Sequence, residues 1–235
     1  MPDFVIEFGE GEEPPADGRL RGSAFARNHA PIWAVIAPHL EDRAGDVLEI
    51  GSGTGEHVVT FARNASAVTW WPSDVHPRHL ASIAAWRAHA GLANVQAPAR
   101  VDLLDAAWDA TLPVPDRLTA IVCINVLHIS PWRVTENLLA GAGRRLRPDG
   151  RLFVYGPFRR DGAHTAPSNA AFDASLRAQD PAWGVRDTGE IAAVAERCGL
   201  GIADIASMPA NNFTLVIAPT ASVPIPKFAS IRRGL

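Results

Sequence analysis

The run Val47-Leu48-Glu49-Ile50-Gly51-Ser52-Gly53-Thr54-Gly55-Glu56-His57 reads as a buried strand, a glycine-rich turn and the start of a helix. Glycines at 51, 53 and 55 let backbone turn tightly and approach a ligand, with Ser52 between the first two, and the helix start offers free N–H groups. The spacing is GxGxG, whereas a pyrophosphate-cradling turn reads GxGxxG. Glu49, two positions before the first glycine, could receive an ammonium group directly or through water and suits pyrophosphate poorly.

Other groups recur at the expected strand ends. Trp71-Pro72-Ser73-Asp74 places an acid where ribose hydroxyls bind, and a charge-assisted hydrogen bond of that kind contributes roughly 1.5–3 kcal/mol. In Arg100-Val101-Asp102-Leu103-Leu104, Asp102 could accept from an adenine amino group while the Leu103 amide meets a ring nitrogen. Ile124-Asn125-Val126-Leu127-His128-Ile129 closes a further strand and offers Asn125 to the cofactor and His128 as a base. Tyr155, the only tyrosine, could line an acceptor pocket or anchor a loop. A strand-end histidine is at least as often a structural hydrogen-bonding residue.

The elements that must position these groups alternate. Strands are expected at 47–50, 67–71, 94–97, 120–124, 151–155, 201–208 and 213–218, and helices at 30–40, 56–63, 79–90, 104–108 and 131–146, with Pro31 in the first turn of the first helix. A βαβ series pairs in parallel. The last two strands are separated only by Pro209-Ala210-Asn211-Asn212, too short for a helical crossover, so they should form an antiparallel hairpin. The expectation is one α/β unit, a Rossmann-like three-layer sandwich on a seven-stranded, mostly parallel sheet with one antiparallel strand.

Residues 1–26 lack periodicity and read as an arm or lid, residues 27–219 as the domain, and residues 220–235 as a tail. Within the domain, residues 156–188 form an insertion holding a helix from Ser168, as its cap, to Gln179. Beyond the fifth strand, its Arg159, Asn169, Asp173, Arg177, Asp180, Arg186 and Asp187 could bind a polar acceptor, although alternating charges also describe a solvated helix. Trp132 and Trp183 could wall the acceptor pocket or simply pack. Asn211 and Asn212 could reach its mouth or only form a turn.

Composition limits the alternatives. The 235 residues are 47% hydrophobic and 20% charged, ordinary for a folded domain, and the net charge of -3 argues against binding nucleic acid by phosphate neutralisation. Cys123 and Cys198 show no CxxC spacing and are expected reduced and buried; His76 and His79 lack a completing ligand set, so no metal is expected. Neither a signal segment nor an apolar run of membrane-spanning length is present, which points to a cytoplasmic protein without a membrane partner.

Glu49 to Gly55, Asp74 and Leu146-Arg147-Pro148-Asp149-Gly150 resemble a class I methyltransferase over roughly residues 27–219. More narrowly, Arg27-Asn28, Ser73-Asp74, Tyr155-Gly156-Pro157-Phe158, Ser168-Asn169, Phe172-Asp173, Asp180-Pro181, Gly184, Arg186-Asp187 and Asn211-Asn212-Phe213 resemble a methyltransferase-like family filed under a domain of unknown function. The resemblance implies S-adenosylmethionine as cofactor, S-adenosylhomocysteine as product, a cofactor role for Arg27 and Asn28, and in-line transfer to an unidentified small polar acceptor. A cofactor-binding partner or sensor without transferase activity is the alternative. A nicotinamide-dependent oxidoreductase is disfavoured by Glu49 and the glycine spacing, and an RNA methylase by the acidic balance.

Overall fold

The computed structural model describes residues 16–41, 43–110 and 112–220. Its helices are α1 (Phe25–Ile36), α2 (Glu56–Asn64), α3 (Pro77–Ala90), α4 (Trp132–Arg145), α5 (Pro167–Gln179) and α6 (Thr188–Arg197). Its strands are β1 (Gly45–Ile50), β2 (Val68–Asp74), β3 (Ala99–Arg100), β4 (Leu118–Ile124), β5 (Leu146–Gly156), β6 (Phe158–Arg160), β7 (Ala163–His164), β8 (Arg186–Asp187), β9 (Leu200–Met208) and β10 (Asn212–Pro219). Seven of them form one sheet in the order β3-β2-β1-β4-β5-β10-β9, in which only β10 runs against its neighbours.

Strand periodicity clothes the two faces of this sheet differently. Val47, Trp70, Val122, Phe153 and Val216 pack with Ile32 and Ile36 of α1, Phe61 of α2 and Trp86 of α3. Leu48, Ile50, Ile121, Leu152 and Leu215 pack with Leu138 of α4 and Ile191 of α6. The result is the expected three-layer sandwich. The β9–β10 connection turns through Ala210 and Asn211, both with left-handed φ (56° and 58°), which closes the antiparallel hairpin.

Several elements depart from expectation for local reasons. α1 begins at Phe25, so Pro31 lies inside it; buried Asn28, Ile32 and Ile36 recur every four residues, and the polar first member hid the stripe. Pairing of the third strand moves from 94–97 to Ala99–Arg100, because Pro98 interrupts the ladder and Val95 makes only a bridge to Trp70. The expected helix at 104–108 is a series of turns, in which the carboxylates of Asp102 and Asp105 accept from the amides of Leu104 and Ala107. α5 starts at Pro167, with Ala166 rather than Ser168 at the cap position. Cys198 is only half-buried.

α6 was not anticipated, yet its signal is present: Asp187 caps the Gly189 amide at 2.8 Å, Glu190 stands three positions on, and Ile191, Val194 and Ala195 are buried. The insertion also carries a small sheet, β7-β6-β8. Residues 1–15 and 221–235 of the expected arm and tail lie outside the described residues. The part of the arm that is described is tied down, since Leu20 is buried, its amide donates to Ser82 Oγ at 2.9 Å and its carbonyl accepts from Trp86 Nε1 at 2.8 Å. No helix among the described residues is long and apolar enough to cross a membrane.

α4 reaches the sheet because it carries a glycine where Trp108 crosses it. A Cβ at Gly141 would overlap the Trp108 indole, whose N–H is committed to the Asn137 carbonyl at 2.9 Å. Gly141→Ala should therefore destabilise the fold by about 1–3 kcal/mol by overpacking, despite the better helix propensity of alanine, and urea unfolding will measure the loss.

Candidate functional site

β1 ends in the glycine turn, and two contacts explain its composition. Gly51 sits at φ +65°, and a Cβ there would stand 2.6 Å from Val126 Cγ2; Gly55 sits at φ +93° with Ile83 Cα where its Cβ would go, at 2.9 Å. Side chains are excluded by both conformation and space. The Gly53 amide donates to Asp74 Oδ2 at 2.9 Å, so the end of β2 holds the turn. Asp74 Oδ1 accepts from the His76 amide at 2.9 Å and lies 3.1 Å from His79 Nδ1. His76 itself caps α3, accepting from the Arg78 amide.

Glu49 is 1% exposed, on the α1 face of the sheet, and its Oε2 has no hydrogen-bond partner among the described residues. Burial raises its pKa to about 8; a hydrogen bond from Ser52 opposes the shift and the like charge of Asp74 adds to it. Asn28, 5% exposed on α1, is within 2.9 Å of His57 Nε2 through its Oδ1, while its Nδ2 has no hydrogen-bond partner among the described residues. His57, at the second position of α2, is held to a pKa of about 4 by burial, with His29 adding a smaller push. Since its ring is neutral, the short contact to an amide oxygen requires that Nε2 carry the proton.

Tyr155 lies on this same face, packed in the α1 side of the core. Burial raises its pKa, while the nearby amides of Asn28 and Asn212 and the charge of Arg27 work in the opposite direction. Those amides influence the hydroxyl without geometry good enough to satisfy Asn28 Nδ2. Arg27 is exposed one residue before Asn28.

His128 is on the other face, so His128, expected as a base, and Tyr155, expected to line an acceptor pocket or anchor a loop, lie on opposite sides of the sheet. The His128 ring stands at Gly156: a Cβ there would meet His128 Nδ1 at 3.3 Å and Asn125 Oδ1 at 3.9 Å, so the glycine lets both groups approach the end of β5 closely. Asn125 adopts φ +58°, unusual for a residue with a side chain, and its amide donates to the Tyr155 carbonyl at 2.9 Å. His128 is 7% exposed, and burial with the nearby Arg186 charge lowers its pKa to about 4. Phe172 of α5 meets the ring edge-on at 5.5 Å and remains 40% exposed, the one large hydrophobic side chain so exposed among the described residues. Phe172, Gly156 and His57 were not singled out as site residues from the sequence; His57 follows the glycine turn directly, which was its available signal.

Most of the charged insertion residues are spent on internal ties. Arg186 is buried and donates to the carbonyls of Leu127 (3.0 Å), Ser130 and Ala182 (2.9 Å), with its guanidinium 5.8 Å from the Trp132 ring. Asp173 accepts from the Val185 amide at 2.6 Å and from Arg177 at 3.0 Å, and the Asp187 carboxylate takes the amides of Gly162 and Gly189. Asn169 donates to the Asn211 carbonyl at 2.9 Å, and Arg159 lies 3.7 Å from Glu190. Asn212 holds Pro209 within the hairpin, and Trp183 packs with Leu176 and Val185. At the far end, Asp102 caps its own turn and Leu103 is buried, its carbonyl accepting from Asn137 Nδ2 at 2.7 Å.

These placements suit a nucleoside bearing an amino acid: an unpartnered carboxyl oxygen for an ammonium, an unpartnered amide N–H for a carboxylate, glycines between them and Asp74 at the next strand end. The insertion's position depends on Arg186. Arg186→Met should lower stability by about 3 kcal/mol through loss of hydrogen bonds from a charged donor, and amide hydrogen exchange over residues 167–187 should speed up most.

Among solved structures, the chain resembles an O-methyltransferase family protein from Burkholderia thailandensis (20% identity, TM-score 0.70, covering 83% of this chain and 57% of that one). It also resembles an O-methyltransferase family 2 protein from Planctomyces limnophilus DSM 3776 in complex with apigenin (18%, TM-score 0.66, 81% and 56%). A third likeness is to CalO1, a methyltransferase in calicheamicin biosynthesis with S-adenosylhomocysteine bound (16%, TM-score 0.61, 81% and 54%). The chain thus spans little more than half the length of these proteins, and what it shares with them is the class I methyltransferase fold. Residues 20–218 match the family described as "Protein of unknown function (DUF938)", and the chain belongs to that family.

Proposed function

We propose that the chain binds S-adenosylmethionine over the carboxyl ends of β1, β2 and β4 and transfers its methyl group to a small acceptor held beside His128. The observation that carries this reading is the pair of buried groups near the glycine turn without a partner among the described residues, Glu49 Oε2 and Asn28 Nδ2. An isolated buried polar atom costs about 1–3 kcal/mol, so two of opposite hydrogen-bonding sense on one face favour a ligand that supplies both partners. A pyrophosphate would instead be set beside two carboxyl groups, Glu49 and Asp74.

Bound there, S-adenosylmethionine supplies an electrophilic methyl on a sulfonium, open to in-line attack. The protein's part is chiefly to hold the acceptor in line, and positioning alone can supply roughly 7–11 kcal/mol. Gly156 lets His128 and Asn125 close in on the end of β5, beside which the acceptor would be held, and Phe172 meets the His128 ring edge-on there. With its pKa near 4, His128 is neutral at physiological pH and can accept the acceptor's O–H or N–H without placing a second positive charge near a sulfonium. Arg27 and the Tyr155 hydroxyl stand near Asn28, at the carboxylate end of the cofactor. That one neighbour of this fold was solved with S-adenosylhomocysteine supports the cofactor, and that another was solved with apigenin supports a small-molecule acceptor.

Calorimetric titration should show binding of S-adenosylmethionine and S-adenosylhomocysteine and none of NAD. Asp74→Ala should weaken the first two about 10- to 150-fold, equivalent to the roughly 1.5–3 kcal/mol of a charge-assisted bond. Binding of NAD alone overturns the reading, whereas binding without turnover across an acceptor screen favours the partner or sensor alternative. Given an acceptor, His128→Asn should lower kcat by about 10²–10⁴ with little change in cofactor affinity, and an unchanged kcat would remove the base.

A further inference from the structure

We infer that the Glu49 carboxyl is a neutral acid in the free protein and releases its proton to solvent when an ammonium-bearing ligand docks against it. The inference rests on the cofactor reading above and adds a proton to the binding equilibrium. Its ground is geometric: the carboxyl is almost wholly enclosed, one oxygen has no partner, and no basic side chain pairs with it among the described residues.

Each neighbouring element adds to that isolation. β2 contributes Asp74, a carboxyl group acting in the same sense as burial. β4 contributes Cys123, whose thiol is pushed up by its own burial and by Glu49. From α2, His57 is kept neutral by burial and faces Asn28, while Glu56 turns away to accept from the Gly22 amide at 2.6 Å. α1 presents the uncharged amide of Asn28 and, at its surface, Arg27, whose charge acts on Tyr155. An ionised Glu49 would therefore be a buried charge without a counter-ion, which proteins avoid by protonation.

A docking ammonium changes the balance by supplying both the counter-charge and an N–H donor to the orphaned oxygen. The O–H bond of Glu49 breaks, the proton passes to buffer, and a charge-assisted hydrogen bond replaces it. Because binding requires the ionised form of a group that titrates near 8, affinity rises with pH below that value and levels above it. The neutral state also avoids holding an uncompensated charge in the ligand-free protein. Ligands lacking the amino group give no such exchange.

The test is titration calorimetry of the full chain with S-adenosylhomocysteine at about pH 6.5 in buffers of different ionisation enthalpy, repeated with 5′-methylthioadenosine, which keeps the nucleoside and lacks the amino acid. The expected result is release of close to one proton per S-adenosylhomocysteine, none with 5′-methylthioadenosine, and a Kd falling about tenfold per pH unit between roughly pH 6 and 7.5. Glu49→Gln should abolish both the proton release and the slope. Buffer-independent heat with tight S-adenosylhomocysteine binding overturns this inference alone; failure of S-adenosylhomocysteine to bind at all overturns the cofactor reading and this inference with it. Proton release that persists in Glu49→Gln assigns it to another group and likewise overturns the inference.

Discussion

The closeness of two strand ends governs the site: the turn after β1 touches the turn after β4, with Val126 Cγ2 occupying the place of a Gly51 side chain. That approach is possible only because residue 51 has no Cβ and tolerates φ +65°. Asn125, immediately before Val126, is held in a left-handed conformation, and the short helical turn that follows brings His128 against Gly156. The tie from the Gly53 amide to Asp74 adds the end of β2 to the same assembly. Three strand ends are thus locked into one cluster by backbone geometry, before any ligand contributes.

The sheet then divides the labour between its faces. Glu49 and Tyr155 point toward α1, where Asn28 and His57 complete a polar lining that is partly unsatisfied. Asn125, Gly156 and His128 gather toward the α4 side, where the insertion brings Phe172. The first set suits recognition of a charged ligand, and the second suits presentation of a nucleophile. Buried charge is managed differently in each: Glu49 escapes it by protonation, whereas Arg186, which cannot lose its proton, is satisfied by three carbonyls.

The charges of the insertion do structural work. Its Asp and Arg residues lie near the site and invite assignment to an acceptor, but Asp173, Asp187 and Arg186 spend their hydrogen bonds on the backbone of residues 127–130, 162, 182–185 and 189. A segment that packs only three large hydrophobic side chains into its own cluster, Leu176, Trp183 and Val185, needs such ties to keep its shape. Phe172, the one large hydrophobic side chain left exposed among the described residues, meets the His128 ring.

The succession of strands and helices along the chain, the hairpin at 209–212, the glycine turn and the placing of the acids Glu49 and Asp74 at strand ends were legible in the sequence, because each follows from local rules: strand periodicity, crossover length and the conformational demands of glycine. The start of α6 is equally written in the sequence, through Asp187 at its cap and Glu190 in its first turn. What the tertiary structure alone decided is which groups share a surface and which remain unsatisfied. His128 follows β4 and Tyr155 lies within the adjacent β5, yet they face opposite ways, and Asn28 comes to the site only because α1 extends back through Pro31 to lay it beside His57. Sequence records donors, acceptors and charges, but whether a group is free to bind or to titrate depends on burial and on partners far away along the chain, and those exist only once the chain has packed.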